Sequence, residues 1–157
     1  MSGTTRILRD LQQHYINAQQ QALGPMMTDS DVAVSMFERI GGGATIELLV
    51  DRFYQRMDTL PEAKIIRAMH AADLGLIRDV LKRYLTEWTG GPRLYSVEKG
   101  HPRLRQRHIG FAIGDAERDA WMACMRGALE ETVADSAARH DLDKALSGLA
   151  DWMRNRN

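Results

Sequence analysis

One histidine, His108, has neighbours that could serve a planar, anionic and mostly apolar cofactor. Arg107 precedes it, and a tryptophan, Trp121, follows thirteen residues later. Apolar side chains come directly after the histidine, namely Ile109, Phe111 and Ile113. An imidazole can ligate iron axially, a guanidinium can bind a carboxylate, and apolar side chains can cover a ring. The combination indicates a haem.

Arginines alternate ahead of this histidine, at Arg103, Arg105 and Arg107. Since a guanidinium fork matches a carboxylate bidentately, we predict that Arg107 pairs with the haem propionates. A solvated helix face is an equally good interpretation for the other two. A local nucleic-acid site is disfavoured, because 21 Lys and Arg balance 21 Asp and Glu and the pattern lacks an extended basic patch with aromatic platforms.

Other kinds of chemistry find little support in the sequence. A zinc site would need closely spaced ligands, and the five histidines and Cys124 show neither an i, i+4 histidine pair nor paired cysteines. The glycines of Gly41–Gly43 lack the Lys-Ser/Thr that follows in a phosphate-binding loop, and no nucleophile elbow is present. A zinc enzyme, a hydrolase and a kinase are therefore all disfavoured.

The overall composition predicts one soluble, cytoplasmic domain. A chain of 157 residues is long enough to bury a core of its own. A single cysteine allows neither an intrachain disulfide nor the paired thiols of covalent haem attachment. No stretch approaches the roughly 20 apolar residues of a membrane span, so we do not expect a membrane as partner. The balanced charge likewise predicts no nucleic-acid partner.

The apolar residues recur at helical spacing almost throughout, which predicts an all-α protein. Predicted helices cover residues 5–23, 32–40, 44–57, 73–88 and about 141–154, with further helices before His108 and after Asp115. Glycines interrupt the pattern at Gly41–Gly43 and again at Gly90 and Gly91. We divide the chain into an N-terminal helical extension, residues 1–28, and a main domain, residues 29–157.

Several motifs taken together resemble the truncated haemoglobins of the second group, also called the O-type. They are FERIGGG (37–43), DRFY (51–54), WTGGPRLY (88–95), GHPRLRQRH (100–108), FAIG (111–114) and ERDAWMACM (117–125). The resemblance covers about residues 32–135. It implies a truncated globin, in which a two-over-two helical sandwich surrounds a non-covalently bound haem b.

The resemblance also implies roles for individual residues. His108 matches the proximal iron ligand, Tyr54 matches the distal tyrosine, and Trp121 matches the tryptophan whose indole faces the bound ligand. His70 is expected in the distal pocket, although Met69 could take its place. Ile77 occupies the distal gate, where small residues are usual, and this departure disfavours easy ligand entry by that route.

Apolar side chains on the inner faces of the helices are expected to contact the haem. We assign Leu104 and Phe111 to the proximal side, and Phe53, Leu81 and Met125 to the rest of the pocket.

The expected function is the binding of O2, and of NO, CO or peroxide, at this haem. Tyr54, Trp121 and His70 would donate hydrogen bonds to the ligand, and each such donor slows O2 release. Slow release favours ligand chemistry, such as NO oxidation or peroxide reduction, or sensing, over bulk O2 transport. An unidentified reductase is the expected partner, and a homodimer is left open.

The alternative function is a haem-free interaction module of globin fold. It would use an apolar stripe of the N-terminal helix, formed by Ile7, Leu11 and Tyr15, to dock a partner. Such a module has no use for His108 or for an indole in the pocket.

Overall fold

The computed structural model describes residues 33–157, which form α-helices and one short 3₁₀ turn. The helices are α1 (Met36–Arg39), α2 (Gly42–Thr59), α3 (Lys64–Arg67), α4 (Gly75–Trp88), α5 (Ser96–Lys99), α6 (Leu104–His108), α7 (Asp115–Thr132) and α8 (Ser136–Trp152). The 3₁₀ turn, Pro61–Ala63, precedes α3. No strand occurs among the described residues. The predicted helix over residues 5–23, its apolar stripe and the proposed boundary at residue 28 lie outside them.

The four long helices form two layers. In one layer α2 packs against α4, in the other α7 packs against α8, and α2 and α7 make the main contact between the layers. The core between them is apolar, and its largest fully buried side chains include Ile46, Leu49, Phe53, Met57, Leu85, Met125, Leu129, Leu142 and Leu146. Within residues 33–157, no helix is both long enough and apolar enough to cross a membrane.

Two glycine turns bring the first described helices together. Gly41, at φ 106°, lies between α1 and α2 in a backbone region that favours glycine. Gly91 follows α4, and a Cβ atom there would lie 2.8 Å from both the Phe37 ring and the Thr86 carbonyl oxygen. The Phe37 N–H donates to the Thr89 carbonyl at 2.8 Å. This hydrogen bond and the close packing at Gly91 hold the C-terminal end of α4 against α1.

Some predicted helix boundaries are wrong, and capping explains the differences. The last helix begins at Ser136, five residues before the predicted start, because the Asp135 carboxylate accepts a hydrogen bond from the Ala138 N–H at 2.9 Å. Asp115 does not cap α7 but is its first residue. The Glu117 carboxylate accepts from the Gly114 N–H at 2.8 Å instead.

Candidate functional site

His108 is the last residue of α6 and is half-buried. Its Nδ1 atom lies 2.6 Å from the carbonyl oxygen of Leu104, one helical turn earlier. Since a carbonyl can only accept, Nδ1 carries the proton of the neutral ring. Nε2 therefore keeps a lone pair that is free to ligate a metal. Metal-binding histidines are commonly fixed in this way, with the second ring nitrogen donating to a backbone carbonyl.

The helix that carries His108 receives contacts from the last residue of α8 and from the chain that follows it. Arg105, on the same helix, donates from Nη1 to the Trp152 carbonyl at 2.9 Å. The Asn155 amide nitrogen donates to the carbonyl oxygens of His108, at 3.2 Å, and Phe111, at 2.8 Å. Sequence reasoning did not single out Asn155, and no motif marks it.

An aromatic cluster occupies the interface of α2 and α7. Phe53 is fully buried and Tyr54 is 3% exposed. The Phe53 ring centroid lies 4.9 Å from that of Tyr54, nearly perpendicular to it, and 5.1 Å from that of the half-buried Trp121. The structure thus brings two of the predicted ligand-side residues, Tyr54 and Trp121, into contact with the same phenylalanine.

Burial controls the ionisation of Tyr54. It raises the pKa of the phenol well above its usual value, and the positive charge of Arg78 on α4 opposes that rise only in part. The hydroxyl therefore stays protonated and able to donate at any physiological pH. Sequence reasoning also missed Arg78, whose Nε atom is buried without a hydrogen-bond partner.

His70 lies beside this cluster. Its ring centroid is 6.0 Å from that of Tyr54, and its Nδ1 is 2.8 Å from the Ile66 carbonyl oxygen. Nδ1 is the donor in that bond, so Nε2 of the neutral ring can only accept. Met69, the alternative for this position, is half-buried as well.

The predicted cofactor contacts divide into two sets by exposure. Phe53 and Met125 are fully buried and belong to the core. Three others are partly exposed, namely Leu81, Leu104 and Phe111 at 41%, and the predicted gate residue Ile77 is 37% exposed. Of these, Leu104 and Phe111 share backbone contacts with His108, and partly exposed apolar side chains beside an imidazole are what a haem requires of its binding site. These residues therefore fit the cofactor.

The arginine assigned to the propionates is placed on the surface. Arg107 is exposed, and its Nε donates to the Pro102 carbonyl at 2.9 Å. That bond uses Nε, and the two Nη nitrogens at the end of the guanidinium carry the donors that a carboxylate would accept. The arrangement is compatible with a carboxylate partner.

Comparisons with known proteins agree with this architecture. Residues 35–155 match the family described as bacterial-like globin. Group 2 truncated hemoglobin YjbI of Bacillus subtilis is 35% identical over 114 residues, which cover 73% of this chain and 84% of that protein.

Solved structures are also similar. A group II 2-on-2 hemoglobin from Agrobacterium tumefaciens is 44% identical, with a TM-score of 0.78, over 82% of this chain and 99% of that one. A cold-adapted truncated hemoglobin from Pseudoalteromonas haloplanktis is 37% identical, with a TM-score of 0.77, over 79% of this chain and 100% of that one. The predicted two-over-two fold is confirmed.

Proposed function

Since this chain belongs to the bacterial-like globins, as a group 2 truncated haemoglobin, we propose that it holds haem b through His108 and binds O2 beside Tyr54 and Trp121. A haem held by one imidazole supplies an iron with an open sixth coordination position. The observation that carries the proposal is the hydrogen bond from His108 Nδ1 to the Leu104 carbonyl. It leaves Nε2 as the basic nitrogen of a ring whose orientation is fixed.

Leu104 and Phe111, next to His108, would contact the cofactor and would limit the access of water to the imidazole. Arg107 pairs with a propionate at the surface. This pairing is worth little energy because the guanidinium is exposed. It orients the cofactor more than it retains it.

On the ligand side, Tyr54 and Trp121 act as hydrogen-bond donors. An indole N–H can only donate, and burial keeps the Tyr54 hydroxyl protonated. With Nδ1 donating to the Ile66 carbonyl, the neutral ring of His70 offers an acceptor at Nε2, so its role is to orient the donors. Ile77 stands at the gate and slows ligand entry.

Two donors beside the ligand, one of them the buried Tyr54, favour slow release of O2, and the same site accepts NO, CO and peroxide. Slow release suits NO oxidation, peroxide reduction or sensing better than bulk O2 transport. Turnover would need electrons from a reductase, in a cytoplasmic setting that suits a chain with one cysteine.

The deciding experiment is the visible absorption spectrum of the purified protein in its ferric, ferrous and CO-bound forms, compared with His108→Ala. His140→Ala is the matched control, because His140 is exposed on α8. We expect a histidine-ligated haem spectrum in the wild type and in the control, and a perturbed or absent one in His108→Ala. No spectrum after addition of haemin to the wild type would overturn the proposal and favour the haem-free interaction module.

A further inference from the structure

We propose that Asn155 is a positioning residue for His108. The segment that follows α8, residues 153–156, would hold the backbone of the axial histidine in place and so set the geometry of its bond to iron. This inference rests on the proposed function, in which His108 is the iron ligand.

The short helix α6 has little means of fixing its own position. It has five residues, none of which is buried, whereas isolated helices shorter than about 12–15 residues are marginal in water. The residue before it, Arg103, is in the N-cap position, but its backbone is left-handed at φ 47° and its side chain makes no capping hydrogen bond. Leu104 packs half-buried against the core, but no residue of α6 is fully buried and no side chain caps its start, so burial and capping explain the position of His108 only in part.

Asn155 supplies what α6 lacks. Its backbone N–H donates to the Ile113 carbonyl at 2.8 Å, and its side-chain oxygen accepts from the Ile113 N–H at 3.0 Å. Its amide nitrogen donates to the carbonyl oxygens of His108 and Phe111. One side chain thereby satisfies backbone groups along the whole loop from residue 108 to residue 113.

The first turn of α6 is held by the same region of the chain. Arg105 donates to the Trp152 carbonyl at 2.9 Å, and its guanidinium carbon lies 5.9 Å from the centroid of the Trp152 ring. Residues 152–155 therefore hold α6 both before and after its histidine. Two separate anchors from one segment leave the helix few ways to shift alone.

A restraint on the backbone of His108 also restrains the orientation of its imidazole ring. Its carbonyl accepts from Asn155, while its ring donates to the Leu104 carbonyl at the other end of α6. Movement of the carbonyl changes the direction of the Cα–Cβ bond and with it the position of Nε2. Loss of the Asn155 amide should therefore be felt at the iron and not only in overall stability.

The test uses the haem-loaded protein and two variants, Asn155→Ala and Asn155→Asp. The aspartate keeps the acceptor for Ile113 but removes the donor to His108, so both variants lose the proposed restraint. Asn157→Ala is the matched control, two residues further along. We expect a shifted or broadened iron–histidine stretching band in the resonance Raman spectrum of both variants, and haem transfer to an acceptor globin about tenfold faster.

A second background separates positioning from general destabilisation. In His108→Gly, added imidazole ligates the iron without a covalent link to the backbone. Asn155→Ala should leave the iron–imidazole band unchanged there. If Asn155→Ala fails to fold, Arg105→Gln removes the other anchor and should shift the wild-type band in the same way.

The outcomes are distinct. A wild-type band in Asn155→Ala and Asn155→Asp would overturn the inference, and so would an equal shift in the His108→Gly background. Neither result would touch the proposed function. The proposed function fails only if the wild type itself takes up no haem or shows no iron–histidine band.

Discussion

The two sides of the proposed haem site are built by different forces. On the ligand side, Phe53 and Tyr54 are buried by the contact between α2 and α7. On the iron-ligand side, α6 contains no fully buried residue. Only Leu104 packs against the core, half-buried, and hydrogen bonds from Arg105 and Asn155 hold the rest. One side is part of the core, and the other is attached to it.

This difference predicts how well each side of the site keeps its geometry when the protein is destabilised. Groups buried in a packed core hold their geometry as long as the fold survives, because moving them opens a cavity. Segments held by few, partly exposed hydrogen bonds open at lower cost than the whole domain. Donor geometry toward the ligand should therefore persist under conditions in which the histidine helix already opens.

The largest effect should come from replacing one phenylalanine on each side by alanine and comparing the two losses of stability. Phe53→Ala removes a fully buried ring, which should lower the free energy of unfolding by about 3–5 kcal/mol. Phe111→Ala removes a ring that is 41% exposed and should cost less than about 1.5 kcal/mol. Urea unfolding before haem is added measures both. Equal losses would remove the contrast between core and attachment.

The next effect concerns the ligand-side donors. Trp121→Phe keeps an aromatic ring against Phe53 but deletes the N–H, so we expect O2 release about ten- to hundredfold faster, since a hydrogen bond to a charged acceptor is worth about 1.5–3 kcal/mol. Flash photolysis or stopped-flow mixing measures the rate. Trp88→Phe is the control, because Trp88 stacks on Tyr84 on α4. An unchanged rate in Trp121→Phe would contradict the role of the indole.

The burial of Tyr54 should appear in alkaline unfolding. Its pKa is raised in the folded protein, so the folded state keeps a proton that the unfolded state releases above about pH 10. The stabilisation is complete below that pH and is lost as the pH rises toward the folded pKa. Tyr54→Phe should therefore lose stability less steeply than the wild type, by up to about 1.4 kcal/mol per pH unit. Parallel slopes would indicate that water reaches the phenol.

The smallest effect should be that of Arg107. An exposed ion pair contributes about 0.2–1 kcal/mol, so Arg107→Gln should speed haem transfer to an acceptor globin by no more than about fivefold. The difference should shrink at high salt, since salt screens exposed charges. Arg126→Gln is the control of equal charge, because Arg126 pairs with Asp143 at 3.0 Å. A larger effect would mean that Arg107 retains the cofactor.

Much of this architecture could be predicted from the sequence, because it depends on local spacing. Apolar residues at helical intervals predicted α2, α4 and α7, and glycines predicted where the chain turns. The start of α8 was missed because small residues such as Ala138, which is fully buried, contribute little to an apolar pattern. Aspartate caps and neighbouring glycines compete for the same helix start, which explains the error at Asp115.

The site could be predicted only in part. The bond from His108 to Leu104 spans four residues and follows from helical geometry. The contact of Asn155 with the same histidine spans 47 residues and carries no motif. Arg78 was missed because its approach to Tyr54 depends on how α4 packs on α2. Contacts within a helix can be predicted from the periodicity of the sequence, while contacts between distant residues depend on how the helices pack.

The position of Asn155 beyond the last helix has a practical consequence for anyone who purifies this protein. A carboxypeptidase that trims the chain as far as Arg154 would delete the amide that holds the histidine loop, while every helix stayed intact by circular dichroism. Such material would have normal helix content yet lose its colour on gel filtration. An intact-mass measurement should therefore precede any conclusion about haem occupancy.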